Sequence, residues 1–154
     1  MTLPAIMRST GVKVHFRLTQ DEDGYPPAAV ESVWAEATDR PQEFILENVP
    51  FFARAATVGD VVRTKREDDA EWFDSLVKAS TNSLVRVVFF DTTALDRVRT
   101  RLQELGCEDE YLEPHTLLAV NVPGTASMSE VRRYLDIETG SGAIDYEEPL
   151  LRAD

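Results

Sequence analysis

The spacing of apolar residues changes near residue 80, and this change limits the folds that are open to the chain. Before it, apolar and polar residues alternate with a period of two, most clearly in Val12–Leu18, which indicates a half-buried strand. Residues 30–38 fit a helix or a strand, and the turn sequence after them favours a β-hairpin with Phe44–Leu46. About five short strands separated by turns predict a small β-barrel or a strongly bent sheet.

Residues 81–154 follow a different pattern, in which strands alternate with two amphipathic helices. Apolar residues spaced by three and four positions from Leu95 to Leu105 make one helical stripe, and Gly106 supplies a left-handed stop. A second helix opens at Ser127, which has a glutamate three positions later. The element order is β-α-β-β-α-β, the ferredoxin-like arrangement. The sequence therefore predicts an α+β chain, with a barrel-like part in residues 1–80 and a ferredoxin-like part in residues 81–154.

Acidic residues outnumber basic ones by 28 to 16 in this chain of 154 residues, so its net charge is −12. The excess is spread over both halves of the chain, and no acidic tail carries it. Nucleic acids and anionic membranes bind basic faces, so we expect no nucleic-acid or membrane partner. A basic protein is the partner that the charge favours. The same charge also keeps a protein soluble without any partner.

The cysteine content and the length of the apolar runs indicate where in the cell the protein is located. Cys107 is the only cysteine, which excludes an internal disulfide and a zinc site built on several thiolates. Met1–Arg8 lacks the apolar core of a signal peptide, and the longest apolar runs fall far short of the roughly 20 residues of a membrane span. These features predict a cytoplasmic protein.

Residues suited to catalysis are few. His15 falls on the polar face of a predicted strand and His115 in a turn, and no third group is placed to orient a pair of Cys107 with His115. The Asp21–Gly24 turn has the acidity of a calcium loop. Aligning its glycine with the sixth position of an EF-hand, however, leaves a threonine and a valine at the two essential ligand positions. We therefore expect no catalytic residue, no metal and no cofactor.

Eight short segments of the sequence, taken together in this order, are distinctive. They are Val14–Leu18, Asp21–Pro27, Glu31–Ala35, Asn48–Ala53, Gly59–Val62, Leu105–Cys107, Val122–Pro123 and Asp145–Glu148. In this order they resemble a bacterial family of small proteins that is classed as a domain of unknown function, and the resemblance extends from about residue 12 to residue 151. The family brings no established activity, substrate or cofactor with it.

The strings most typical of that family lie in predicted loops and turns, where a recognisable motif more often binds a ligand than it does in a strand. The adjacent aromatic residues of the Pro50–Phe52 connector have two interpretations, a place in the core or an exposed contact for a partner. The candidate binding residues are therefore Asp21, Asp23, Tyr25, Asn48, Phe51, Phe52 and Asp60. The alternative is that these residues only shape the turns of the barrel.

Three functions remain open on these grounds. The leading hypothesis is a non-enzymatic protein-binding or regulatory module, for example an immunity or antitoxin-like protein that sequesters a basic partner. The alternative is a small-ligand-binding protein or enzyme with an acidic site between the two subdomains, lined by Asp21, Asp23 and Asp60. The third is a structural domain that forms a homodimer through an exposed sheet face or edge.

Overall fold

Residues 11–152 are described by the computed structural model of the chain. The expectation that Met1–Arg8 holds no signal peptide lies outside these residues and stays a prediction. Within the described residues, internal contacts divide the chain into two units between Ser80 and Thr81. Each unit contains its own sheet and its own apolar core.

The first unit is built from five strands that follow one another around a closed barrel. Each strand pairs antiparallel with the next, and the first and fifth strands close the ring by pairing in parallel. The strands are β1 (Val12–Arg17), β2 (Val30–Ala37), β3 (Glu43–Leu46), β4 (Val61–Glu67) and β5 (Ala70–Lys78).

Alternation along the strands fills the interior of this barrel with apolar side chains. Val14 and Phe16 of β1 and Val33 of β2 are each at most 3% exposed, and the register pairs Val14 directly with Val33. Burying one side chain of this size contributes about 1.5–3 kcal/mol, so the inward row of β1 is a main source of stability. The same cluster also contains Ala35, Phe44, Leu46, Ala53, Ala56 and Val62.

The outward row of β1 covers the two tryptophans of the chain. The Lys13 ammonium lies 5.1 Å from the ring centre of Trp34, and the Arg17 guanidinium lies 4.0 Å from that of Trp72. Such contacts contribute about 0.5–1 kcal/mol each at exposed sites. They also shield apolar ring surface from water.

The second unit is a four-stranded antiparallel sheet with two helices. Its strands lie in the order β7-β8-β6-β9, and a helix follows β6 and another follows β8. The elements are β6 (Ser83–Phe89), α1 (Leu95–Glu104), β7 (Glu108–Leu112), β8 (Leu117–Val122), α2 (Met128–Gly140) and β9 (Ile144–Leu150).

The core of the second unit combines alternate residues of the strands with the apolar stripes of both helices. Each member of this set is at most 3% exposed: Val85, Val87 and Phe89 of β6, Val98 and Leu102 of α1, and Val131 and Leu135 of α2. The expectation of a mixed α/β chain, mostly strands with two helices, is confirmed for the described residues.

Helix α2 begins at the N-cap that the sequence predicts, and this cap can be tested by mutation. Ser127 Oγ accepts a hydrogen bond from the Glu130 N–H at 3.2 Å, the geometry of an N-cap. Replacing Ser127 by alanine is expected to lower the free energy of unfolding by about 1 kcal/mol, measured by urea denaturation followed through helical circular dichroism. Thr125→Ala, two positions earlier in an exposed loop, is the matched control. Equal stability of the two variants would contradict the capping role.

Candidate functional site

The Asp21–Tyr25 turn is held together by its own first carboxylate. Asp21 Oδ1 accepts the N–H groups of Asp23 and Tyr25 at 2.9 Å each, and the Asp21 N–H donates to the Tyr25 carbonyl at 2.7 Å. This is the bonding of an Asx turn. The Asp21 carboxylate therefore shapes the loop, and Tyr25 at the end of it is 53% exposed.

The Phe51–Ala53 segment is anchored by a glutamate from β2. The Glu31 carboxylate accepts three successive backbone N–H groups, from Phe51 at 2.5 Å, Phe52 at 2.9 Å and Ala53 at 2.8 Å. Successive amides of this kind form a small concavity that binds an anion. Here the anion is the chain's own side chain, so the aromatic loop is held in a fixed conformation.

Two of the candidate residues come together across these loops. The rings of Tyr25 and Phe52 lie 6.0 Å apart at an angle of 83°, an edge-to-face contact of the kind that aromatic pairs prefer. The two family-typical loops therefore meet at one end of the barrel.

Beside this pair lies an open cleft of about 380 Å³, called the barrel cleft below. Its floor includes Phe16 and Phe73, which stack with ring centres 4.8 Å apart. Clefts of about this size are at the small end of those that bind small molecules or the side chains of a partner. The barrel cleft is lined by Phe16, Arg17, Leu18, Thr19, Pro26, Phe52, Ala53, Arg54, Ala55 and Phe73.

Asn48 and Asp60 serve the backbone in other parts of the unit. Asn48 Oδ1 accepts the Trp34 N–H at 3.3 Å. Asp60 is fully buried, and its two carboxylate oxygens accept the N–H groups of Thr57 at 3.0 Å and Ser80 at 2.9 Å. Neither Asn48 nor Asp60 lines the barrel cleft.

Comparison with known proteins now bears on this geometry. A family model described as a domain of unknown function (DUF4265) matches residues 31–146, well over half of the chain. The chain belongs to the DUF4265 family. The matched region begins at Glu31 and includes Phe52, Arg54 and Phe73, whereas the Asp21–Tyr25 turn precedes it.

The DUF4265 chain also has a structural neighbour. A solved structure titled "Novel crystal structure of a hypothetical protein from Neisseria gonorrhoeae" matches with a TM-score of 0.73 at 23% sequence identity. The match covers 91% of this chain and 94% of that chain. At this identity the likeness concerns the fold alone. No curated protein shows significant sequence similarity to the DUF4265 chain.

The histidine and cysteine residues that the sequence offered for catalysis lie in different surroundings in this DUF4265 protein. His15 Nδ1 lies 2.5 Å from Ser32 Oγ, directly across the β1–β2 pair, and its ring contacts Trp72 at 5.2 Å. His115 is exposed in the turn between β7 and β8, whereas Cys107 is buried. In residues 11–152, no cluster of three or more His, Cys, Asp or Glu side chains could hold a metal ion. Over the same range, no helix is long and apolar enough to cross a membrane.

The Cys107 thiol is poorly suited to act as a nucleophile. Burial, helped by the nearby Asp109 carboxylate, raises its pKa from an ordinary value of 9.0 to about 11. A reactive cysteine needs the opposite shift, because the thiolate is the nucleophile. We expect Cys107 to resist iodoacetamide at mildly alkaline pH in the folded protein and to react after urea unfolding, with mass spectrometry as the readout.

The same raised pKa links stability to pH. Because the folded-state pKa lies above the unfolded one, the thiol stabilises the fold below pH 9, and this contribution is lost as the pH rises towards 11. Urea denaturation across that range should therefore show a steeper loss of stability in the wild type than in Cys107→Ala. Parallel curves for the two proteins would contradict the assignment.

Several residues of the barrel cleft, and the glutamate that anchors one of its walls, were absent from the sequence candidates. Glu31 lies in one of the family-typical strings, yet its partners are 20 to 22 positions away. Phe73 reaches Phe16 only because β5 closes the barrel against β1. Arg54 lies two positions after the aromatic connector, and that closeness in sequence is the one local signal that could have added it to the candidates.

Proposed function

We propose that this chain is a non-enzymatic protein-binding module, and that a partner inserts an apolar side chain into the barrel cleft. The observation that carries the proposal is the exposed Tyr25 ring, which packs edge-to-face on Phe52 at the side of an apolar cleft. Tyrosine and arginine at the edge of a small pocket are typical of the residues that dominate binding energy at protein interfaces.

The loop that forms one wall of the cleft is pre-organised for binding. Three hydrogen bonds from Glu31 fix the backbone of Phe51–Ala53, and the Asx turn fixes the approach of Tyr25. A site that is already ordered loses less conformational entropy when a partner arrives. The volume of about 380 Å³ suits one or two side chains of a protein.

The alternative of an enzyme or small-ligand protein with an acidic site has less support. It depends on Asp21, Asp23 and Asp60 acting together. The first two lie in an exposed turn, whereas Asp60 is buried and both of its carboxylate oxygens accept backbone N–H groups. A ligand in solvent does not reach the Asp60 carboxylate in this arrangement.

Site-specific photo-crosslinking in the native cells tests the proposal. A benzoylphenylalanine at position 19, in the lining of the barrel cleft, is expected to crosslink one protein. The same probe at position 137, where Ile137 is 65% exposed on α2, should not. Phe52→Ala should remove the product at position 19.

Three results would count against the proposal. They are no product from position 19, the same product from both positions, and a product that survives Phe52→Ala. A product made of two copies of the chain would instead favour the homodimer over a second protein.

A basic protein partner is a second proposal, and it rests on the net charge of −12. The Asp21–Asp23 turn contributes three exposed acidic residues to this charge. Attraction over distances beyond a Debye length of about 8 Å weakens as salt rises. The association rate with such a partner should therefore fall steeply between low and physiological ionic strength, measured by stopped-flow mixing. A rate independent of salt would exclude it.

For the fold, we propose that the second unit is ferredoxin-like. The support is its strand order β7-β8-β6-β9, its antiparallel pairing, and the helices after β6 and β8. This is the split βαβ arrangement. We also propose that the first unit is the barrel-like part expected for residues 1–80, and the support is its ring of five paired strands.

A further inference from the structure

We propose that the barrel cleft selects an acidic peptide segment, in which a carboxylate side chain neighbours the apolar side chain that enters the cleft. This inference rests on the proposed protein-binding function and specifies the partner's chemistry. Its basis is the charge of the cleft lining, which differs in sign from the charge of the chain.

The charged residues of the lining are both cationic. Arg17 and Arg54 belong to it, and no carboxylate does among the residues that the structure describes. The chain as a whole has 28 acidic and 16 basic residues, so the sign of the charge on this lining is opposite to that of the whole chain. The remaining lining is apolar apart from Thr19. The chemistry of the lining therefore matches a ligand with an apolar body and a negative neighbour.

The guanidinium of Arg17 is held in place and still has donors to offer. Its Cζ atom lies 4.0 Å from the ring centre of Trp72, and its Nη2 atom donates to Glu67 Oε1 at 3.1 Å. A guanidinium has five N–H donors, so this contact leaves others for a second carboxylate. The side chain is 61% exposed, which keeps it open to a partner.

The backbone of the same wall supplies a second reason for charge selection. The amides of Phe51, Phe52 and Ala53 already bind Glu31, so they do not compete for the ligand's carboxylate. The two arginines are then the groups of the cleft that recognise charge. Arg54 is exposed one residue beyond the anchored segment, at the edge where a residue next to the inserted side chain would pass.

The overall charge of −12 does not oppose this local preference at physiological salt. Charges farther away than about 8 Å are largely screened there, whereas a carboxylate in contact with a guanidinium is screened less. Short-range recognition at the cleft and long-range attraction by the whole surface are therefore separate properties.

Selection from a random phage-displayed peptide library on the full chain tests the inference. We expect enriched peptides to carry an aromatic or aliphatic residue with aspartate or glutamate next to it. A synthetic version of one such peptide is then titrated by isothermal calorimetry, together with versions in which the acids are replaced by amides or by lysines. We expect each carboxylate to contribute about fivefold in affinity, and lysine versions to bind more weakly than amide versions.

Two arginine variants assign the preference to the cleft. Arg54→Gln is expected to weaken the acidic peptide about fivefold and to leave the amide version unchanged. Arg40→Gln is the matched control, because Arg40 is exposed in the β2–β3 turn and does not line the cleft. Equal losses in both variants would overturn the inference.

Failure of the inference differs from failure of the proposed function. Enriched peptides that are apolar without acids, or apolar with basic neighbours, would overturn the charge preference while leaving the cleft as a binding site, provided that Phe52→Ala abolishes their binding. Enriched peptides that are indifferent to Phe52→Ala, or no enrichment at all, would overturn both.

Discussion

Replacing Asp60 by alanine is expected to lower the free energy of unfolding by about 3 kcal/mol. The side chain is fully buried, and its carboxylate accepts the N–H groups of Thr57 and Ser80. Truncation leaves both donors without this acceptor, and an unsatisfied buried donor costs about 1–3 kcal/mol. Urea denaturation followed by tryptophan fluorescence measures the loss, because Trp34 and Trp72 both report on the barrel.

Two further variants make the Asp60 result specific. Asp60→Asn keeps one acceptor oxygen and should lose less stability than Asp60→Ala. Asp23→Ala removes the same group from an exposed turn and should change stability by less than about 0.5 kcal/mol. If Asp60→Ala were as stable as Asp23→Ala, the buried carboxylate would not be the link that joins these backbone segments.

The Asp60 geometry favours the structural one of the two interpretations that the sequence left open for this residue. Asp60 follows Gly59 in a turn, and the side chain of an aspartate in a turn is usually exposed to solvent. Burial is tolerated because both carboxylate oxygens have hydrogen-bond donors. One donor, the Ser80 N–H, lies 20 positions after Asp60 in the chain, so no local sequence pattern predicts this hydrogen bond.

Local signals account for the parts of the fold that were predicted well. The Ser127 cap and the apolar stripe that ends before Gly106 act within a few residues, and both mark helix ends in the structure. Closure of the barrel depends on a parallel pair that joins Val14 to Glu71. That pairing depends on how the whole unit folds, and the strand alternation of β1 alone is compatible with an open sheet.

The segment Val30–Ala37 shows how packing decides between two local patterns. Val33 is buried in the barrel, whereas the adjacent Trp34 is half-buried on the outside beneath Lys13. A helix would place the two side chains about 100° apart, on one broad apolar face. The strand separates them, which satisfies the core and the cation–π contact together.

The candidate site was predicted in part for the same reason. Tyr25 and Phe52 were selected as loop aromatics, and they do meet. Phe16 and Phe73 are strand residues about 57 positions apart that the barrel brings into contact. Sequence reasoning found the loops of the site and missed its floor, because the floor exists only after the strands have closed.

Replacing Glu31 by alanine is expected to disorder the aromatic loop and to abolish binding at the barrel cleft. The carboxylate is the shared acceptor for three successive amides, at 2.5 to 2.9 Å. Hydrogen bonds to a charged group contribute a net stabilisation of about 1.5–3 kcal/mol each. Solvent reaches this half-buried segment, so we expect a net loss of stability of about 2 kcal/mol.

Amide hydrogen exchange gives the direct measurement of the Glu31 effect. The N–H groups of Phe51, Phe52 and Ala53 should be protected in the wild type and should exchange at least about tenfold faster in Glu31→Ala. A tenfold change corresponds to a decrease of about 1.4 kcal/mol in the free energy of local opening. Glu36→Ala, on the same strand but exposed, is the control and should leave these amides unchanged.

The two consequences of Glu31→Ala separate structure from binding. The anchored segment contributes only Ala53 to the apolar cluster of the barrel, whereas Val14, Phe16 and Val33 come from strands. The barrel should therefore stay folded while the photo-crosslink from position 19 disappears. Loss of the crosslink with retained tryptophan fluorescence would indicate that the ordered loop is what the partner recognises. An unchanged crosslink despite fast exchange at Phe52 would mean that the partner binds elsewhere on the chain, and the anchored loop would then have a structural role alone.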